Sequence, residues 1–332
     1  HVVTTWGVEG RGWADEERKR YFDRLPAKAE GVVRKALWDL SRHSAGMAVQ
    51  FRTNAPSIQV DYQLLLPKLA MPHMPATGVS GIDLYGRVED GSMRWVQVTL
   101  PTSQHIKTTI ATGLDESMRE YRMYLPLYNG IESLKIGVSE LANFEPIAPR
   151  KAKPILFYGT SIMHGACASR PGMAIPALIG RHFQSPTINL GFSGNGLMEQ
   201  EVAELMAELD PQVYCIDCLP NMSAENVRRR AAPLVQILRA ARPKTPILLV
   251  EDRVLTNSPF IGRQREQHAT NHRALKQTFE TLQKEGVEDL HYLPADNLLG
   301  SDGEGATDGS HPNDLGFMRY AQAYGKVLGK IL

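Results

Sequence analysis

Between residues 45 and 140 apolar and polar positions alternate. Met47, Val49 and Phe51 are spaced by polar or small neighbours; Ile58, Val60, Tyr62 and Leu64 repeat the pattern, and so do Val96, Val98 and Leu100, then Leu134, Ile136 and Val138. A period of two places such residues on one face of a strand. Turn signals ("TNAPS", "EDGS", "YNG") separate the runs, so this half of the chain is predicted to form antiparallel strands, each with one buried face, in a β-sandwich or jelly-roll. The stretch "DEERKRYFDRLPAKAEGVVRKALWDLSRHS" before them reads as a polar lead-in with one or two helical turns. Residues 65–81, "LLPKLAMPHMPATGVSG", fit neither period and are predicted to be a long ordered loop, of the kind that often carries function.

From about residue 150 the rhythm changes. The short apolar segments "PILFYG", "TINLGF", "QVYCIDC", "PILLVED" and "LHYLPA" are separated by helical stretches, "EQEVAELMAEL", "SAENVRRRAAPLVQILRAA" and "RQREQHATNHRALKQTFETLQKEG", and the chain closes with "GFMRYAQAYGKVLGKIL". Strands alternating with amphipathic helices imply right-handed crossovers and a doubly wound parallel sheet covered on both faces. The proline-rich, basic segment 143–154, "NFEPIAPRKAKP", suits an interdomain linker. The expected division is therefore 1–148, an antiparallel β-sandwich, and 149–332, an α/β domain.

Charge and cysteine content remove several function classes. Lys and Arg total 37 against 36 Asp and Glu, a net charge of +1 among 332 residues, so nothing attracts a nucleic acid backbone or an anionic membrane at long range. No apolar run is long enough to span a membrane, and residues 1–30 lack the apolar core of a signal peptide. Cys167, Cys215 and Cys218 give no disulfide framework. "CIDC" has no second pair with which to build a zinc site, and Cys215 and Cys218 read as small core residues of a buried strand. His1 lacks the further ligands a copper site would need. No metal or cofactor is expected.

The candidate chemistry lies at the ends of the predicted parallel strands, where ligands of doubly wound sheets bind. Ser161 follows "ILFYG", with Gly159 permitting a sharp turn. Gly194 follows "TINLG" in "FSGNG", and Asn221 follows "VYCIDCLP"; with the N–H of Ser161 their donors could form an oxyanion hole. "DGSHPN" puts Asp308 and His311 three residues apart on a loop before the last helix. A serine hydroxyl needs a base to become a nucleophile, histidine is the natural base near neutral pH, and a carboxylate fixes its tautomer. Each feature alone is ordinary in turns and caps; their coincidence in one domain points to serine-dependent acyl transfer. His164, Arg253 and His73 are further candidates for the wall of a substrate pocket, with the 65–81 loop expected to reach over the strand ends.

These residues resemble the SGNH (GDSL-like) hydrolases. The family's four marker residues correspond to Ser161 in "YGTSI", Gly194 in "GFSGNG", Asn221 in "LPN" and His311 in "DGSHPN", and Asp308 completes the triad. Gly-Thr-Ser-Ile stands where the family has Gly-Asp-Ser-Leu, and Leu-Pro-Asn-Met where it has Gly-x-Asn-Asp, which removes a carboxylate after Asn221. "GIDLY", residues 81–85, resembles the Gly-x-Asp-Leu-Tyr signature of a β-sandwich found before some bacterial members; Asp83 and Tyr85 are expected to hold the structure together rather than touch substrate. The resemblance implies a flavodoxin-like α/β fold and ester hydrolysis by Ser161, His311 and Asp308. With no apolar lid or amphipathic membrane stretch in the sequence, small acyl groups, acetyl first, on carbohydrate are the expected substrates. A lipid or thioester acylhydrolase and an inactive glycan-binding protein are the alternatives. Secretion or periplasmic residence suits a polysaccharide-directed enzyme; the oligomeric state is not read from the sequence.

Overall fold

In the computed structural model, which describes residues 1–332, the alternating half of the chain forms two antiparallel sheets. Their strands are β1 (Ala48–Thr53), β2 (Ser57–Leu64), β3 (Asp83–Arg87), β4 (Met93–Val98), β5 (His105–Thr112), β6 (Arg119–Tyr124), β7 (Ile131–Gly137) and β8 (Phe144–Ile147). One sheet runs β4-β3-β6-β1-β8, the other β5-β2-β7. The predicted alternation fills the space between them: Val49 and Phe51 of β1, Ile58, Val60 and Tyr62 of β2, and Ile136 of β7 are buried in one core.

Departures from the pattern have local causes. β4 is an edge strand that stops at Val98; Leu100, followed by Pro101, lies beyond it and is 74% exposed. β3 is covered on both faces, so Asp83, Leu84, Tyr85 and Gly86 are all buried and nothing alternates. β6 buries Arg122 on the face opposite the sandwich core, where its guanidinium donates to Gln50 Oε1 at 2.9 Å.

The lead-in has its expected helical turns in a short helix, α1 (Lys35–Ser41), but it also packs: Leu25, Leu37 and Trp38, with Trp13 just before it, are buried against the second half of the chain. Charged residues dominate its composition, yet most of its apolar ones point toward the second half, while Phe22 joins the sandwich core. Buried Arg24 completes the attachment, donating to the carbonyls of Leu40 at 2.7 Å and of Asn189 and Gly191 at 3.1 and 2.6 Å.

The 65–81 segment contains one helical turn, α2 (Ala76–Val79), and ends against the second half of the chain, where Thr77 Oγ1 donates to the Ser169 carbonyl at 2.6 Å.

The second half is the predicted parallel sheet, β9 (Ile155–Gly159), β10 (Thr187–Gly191), β11 (Val213–Asp217), β12 (Ile247–Val250) and β13 (Leu290–Leu293), in the order β10-β9-β11-β12-β13. The single-turn helix α3 (Ser161–His164) follows β9. The other helices are α4 (Ile175–His182), α5 (Gln200–Ala207), α6 (Ala224–Ala241), α7 (Gly262–Lys284) and α8 (Asp314–Ile331). Burial on both faces explains the uninterrupted apolar strands. Ile155 and Phe157 pack with α4 and α8, whereas Leu156 and Tyr158 pack with α5, α6 and α7. β9 lies between β10 and β11, so its carboxyl end is flanked by two strand ends at the same level: Gly191 and Asp217 both pair with Gly159. No helix is long and apolar enough to cross a membrane.

Candidate active site

The chain turns sharply at the end of β9 because Gly159 has no side chain. A Cβ there would stand 2.7 Å from the Asp217 carbonyl oxygen and 2.8 Å from Met163 Cβ. Thr160 then caps α3, its hydroxyl accepting from the Ile162 N–H at 3.4 Å, and Gly165 ends the helix at φ +107°. Ser161 is the first residue of this turn, largely buried, with its hydroxyl directed out of the strand end.

Its partner comes from the far end of the chain. Ser161 Oγ lies 2.9 Å from His311 Nε2, and His311 Nδ1 lies 2.8 Å from Asp308 Oδ2. The other carboxylate oxygen accepts the backbone N–H groups of His311 and Ser310 at 2.7 and 3.0 Å. Partial burial pushes the Asp308 carboxyl upward, but these bonds and the adjacent imidazole outweigh it and hold the group down at about 2. An ionised Asp308 keeps the proton on Nδ1, which leaves the Nε2 lone pair facing the serine hydroxyl. Sequence had put these three residues together, and the fold does so across 150 positions of chain.

Gly194 and Asn221 hang from β10 and β11, the strands on either side of β9. The loop after β10 folds back over the nucleophile turn, with the Phe192 N–H donating to the Gly159 carbonyl at 2.9 Å. Gly194 sits in it at φ +69°, and a Cβ added there would meet nothing within 4 Å. Its N–H makes no hydrogen bond within the chain. Asn221 ends the 3-10 turn Leu219–Asn221 after β11 and is half-buried. Gly194 and Asn221 thus follow the two strands that flank β9, whose carboxyl end carries Ser161.

Of the three proposed wall residues, only His73 reaches the site. It is exposed on the 65–81 loop with its ring centroid 5.7 Å from that of His311. His164 does not line a pocket: it is fully buried, its Nε2 lies 2.7 Å from the Leu127 carbonyl oxygen and its ring stacks on Tyr128 at 4.1 Å. Burial, with buried Arg24 and His43 nearby, drives its pKa well below the usual imidazole value, so it stays neutral under Ser161 as packing. The Leu127 carbonyl and the Tyr128 ring, both remote in sequence, hold its imidazole in the interior, a direction that sequence adjacency to Ser161 does not reveal.

Arg253 is likewise buried rather than open to substrate. Its Nε donates to the Ser310 carbonyl at 2.9 Å, its Nη2 to the Ser310 hydroxyl, and its Nη1 to Asp252. Arg253 therefore fixes Ser310, the residue before His311. Asp252 and Ser310 are the supporting groups that sequence reasoning missed; the strand-end position of "VED" marked the first, and the second lay unremarked inside "DGSHPN".

Asp83 and Tyr85 do the structural work expected of them. Asp83 accepts from the Gly172 N–H at 2.8 Å, Arg170 at 3.0 Å and Trp95 Nε1 at 2.9 Å, and the Arg170 guanidinium also donates to the Tyr85 hydroxyl. The five-stranded sheet of the first half is thereby tied to the segment that follows α3. A cavity of about 960 Å³ lies beside this junction and not at the triad, lined by Arg87, Arg122, Arg170, Arg181, Trp95 and His182 among others. The one cluster with metal-ligating character is at the triad itself, where His73, Cys167, Asp308 and His311 bring one ligand atom each within 4.8 Å of one another.

Comparison with known proteins agrees with this architecture. Residues 152–329 match the model of the GDSL-like lipase/acylhydrolase family, and residues 2–144 match that of the N-terminus of SGNH-hydrolase-type esterases. No curated protein matches. A structure described as a GDSL-like lipase from Bacteroides ovatus is 33% identical over 100% of this chain and 97% of its own, with a TM-score of 0.94. The salicylyl-acyltransferase SsfX3 of a tetracycline biosynthetic pathway is 19% identical over 98% of this chain and 94% of its own, at 0.75. A family two carbohydrate esterase from Clostridium thermocellum, in complex with cellohexaose, is 13% identical over 87% and 94%, at 0.60. At those identities the last two share the fold.

Proposed function

The chain belongs to the GDSL-like lipase/acylhydrolase family, and from that premise we propose that it is a serine esterase releasing small acyl groups, acetyl first, from carbohydrate. The observation that carries the reading is the unbroken chain of hydrogen bonds from Ser161 Oγ through His311 to Asp308, at 2.9 and 2.8 Å. Ser161 attacks the ester carbonyl as His311 Nε2 takes its proton. The N–H groups of Ser161 and Gly194 and the Asn221 amide hold the oxyanion. His311 protonates the departing alcohol, then activates water to release the acid. Asp308 orients the ring and supports its cation throughout.

Carbohydrate as the alcohol rests on thinner support: the fold shared with an esterase that binds cellohexaose, and the absence of an apolar lid in the sequence. A second reading, an acylhydrolase for longer chains, is favoured by one observation. The loop after β12 joins the triad loop through the Thr256 N–H, which donates to the Gly309 carbonyl at 3.0 Å, and on it Val254 and Phe260 are 50% and 89% exposed. An acyl chain could lie along them.

Hydrolysis of nitrophenyl esters from acetate to long chains, for wild type beside Ser161→Ala, tests both. The expected outcome is a preference for acetate and a loss of about four to six orders of magnitude in kcat/KM in the variant. Release of acetate from acetylated oligosaccharides then tests the alcohol. Rising activity with chain length would favour the second reading, and a Ser161→Ala protein of undiminished activity would sink the mechanism.

A further inference from the structure

The reaction uses His311 and Asp308 but leaves two of their neighbours idle. Cys167, in the turn after α3, is held at φ +69°, in the left-handed region that residues with a side chain rarely adopt. It is almost wholly buried, with its thiol against Thr307 and Asp308. His73 approaches from the opposite side on the 65–81 loop. An imidazole nitrogen from each histidine, the Cys167 sulfur and an Asp308 oxygen all lie within 4.8 Å of one another.

We propose that these four side chains form a reversible inhibitory site for a thiophilic divalent cation, zinc foremost, and that metal bound there switches the esterase off. The switching clause rests on the esterase reading; the site itself does not. One thiolate, two imidazoles and one carboxylate are a donor set that suits zinc and is unsuited to magnesium or calcium. Ligand atoms around a tetrahedral zinc stand roughly 3.5 Å apart. Closing the cluster to that spacing takes shifts of about 1 Å, which an exposed loop histidine can supply.

Binding exchanges the thiol proton for metal: zinc takes the sulfur lone pair, the proton leaves to solvent, and no electron changes hands. Inhibition follows from the ring. Metal on Nε2 occupies the lone pair that must accept the Ser161 proton. Metal on Nδ1 displaces the bond to Asp308 and leaves the ring's proton on Nε2, the wrong tautomer for a base. By either nitrogen the base is lost while Ser161 and the fold remain intact.

The test titrates zinc into the purified chain during nitrophenyl acetate hydrolysis, with Cys167→Ser in parallel and cobalt(II) binding followed by absorption. Zinc is expected to inhibit wild type at micromolar concentration, reversibly with EDTA. Cys167→Ser should keep its uninhibited rate and need at least tenfold more zinc for half-inhibition. Cobalt should give wild type a thiolate-to-metal charge-transfer band that the variant lacks. Cys167→Ala makes the same comparison should Cys167→Ser fold poorly. Equal inhibition of wild type and variants, or no cobalt band at millimolar metal, would overturn the proposal. Were wild type to hydrolyse no ester, the cobalt band would still report the site, and the esterase reading alone would fall.

Discussion

Asp217 closes β11 one strand away from the nucleophile, fully buried, with Oδ2 accepting the Tyr324 hydroxyl at 2.9 Å and Oδ1 without a partner. Burial, aided by the neighbouring Asp252, raises its carboxyl to about 7 against the pull of Tyr324 and Arg253. In the unfolded chain the group ionises near the ordinary value of about 3.9. Between roughly pH 4 and 7 the native state therefore holds the proton that the unfolded state has released, and stability falls as pH rises through that window. Asp217→Asn should abolish this dependence. Wild type and variant should melt alike near pH 4, and the variant should be the more stable at pH 8 by on the order of a few kcal/mol. A melting-temperature difference that stays constant from pH 4 to 8 would mean that Asp217 is ionised throughout. Such a residue could not be picked out beforehand, since "CIDC" reads as a core strand whether or not its aspartate keeps a proton. Ser161, Asp308 and His311 could be, because each sits in a short local motif whose chemistry does not depend on distant packing. His164 and Arg253 failed as pocket residues for the opposite reason: whether a side chain faces a cleft or the interior is decided by elements remote in sequence.

At the scale of elements, the triad depends on how β12 grips the loop before α8. Arg253, at the exit of β12, reaches both the carbonyl and the hydroxyl of Ser310 and is itself paired with Asp252. It touches neither Ser161 nor His311 through a hydrogen bond, so it is a positioning residue. Arg253→Lys keeps the charge for Asp252 but loses the fork that holds Ser310 in two places. The expected result is a fall in kcat of about 10- to 100-fold with KM nearly unchanged, since small misplacement of a catalytic group costs the chemical step most. A matching rise in KM at constant kcat would return Arg253 to the substrate pocket. The parallel strands were legible because burial on both faces leaves an unbroken apolar run; β3 and β6 were not, because one is covered on both sides within a mixed sequence and the other buries a paired arginine.

At the scale of the molecule, residues 13–41 belong by sequence to the first half, yet most of their buried apolar side chains pack on the second, Phe22 excepted. Trp13, Leu25, Ala29, Val33, Leu37 and Trp38 share a core with α5, α6 and α7, and Arg24 holds the carboxyl end of β10. A division at 148/149 keeps all of them in the first half of the chain, although they pack on the second. Six buried side chains, two of them tryptophans, contribute on the order of 10 kcal/mol by the usual transfer values, an upper figure because unfolded chains already hide some surface. That equals the whole stability of a typical domain, 5 to 15 kcal/mol. Residues 149–332 expressed alone should therefore lack a cooperative thermal transition and expose apolar surface to a dye such as ANS, although they contain Ser161, Asp308 and His311. Adding residues 12–42 as a separate peptide should restore part of the transition if the lead-in acts by covering that face. A fragment 149–332 that melts cooperatively near the full-length temperature would show instead that the sheet and its own helices suffice, and that the lead-in is an ornament of the first domain.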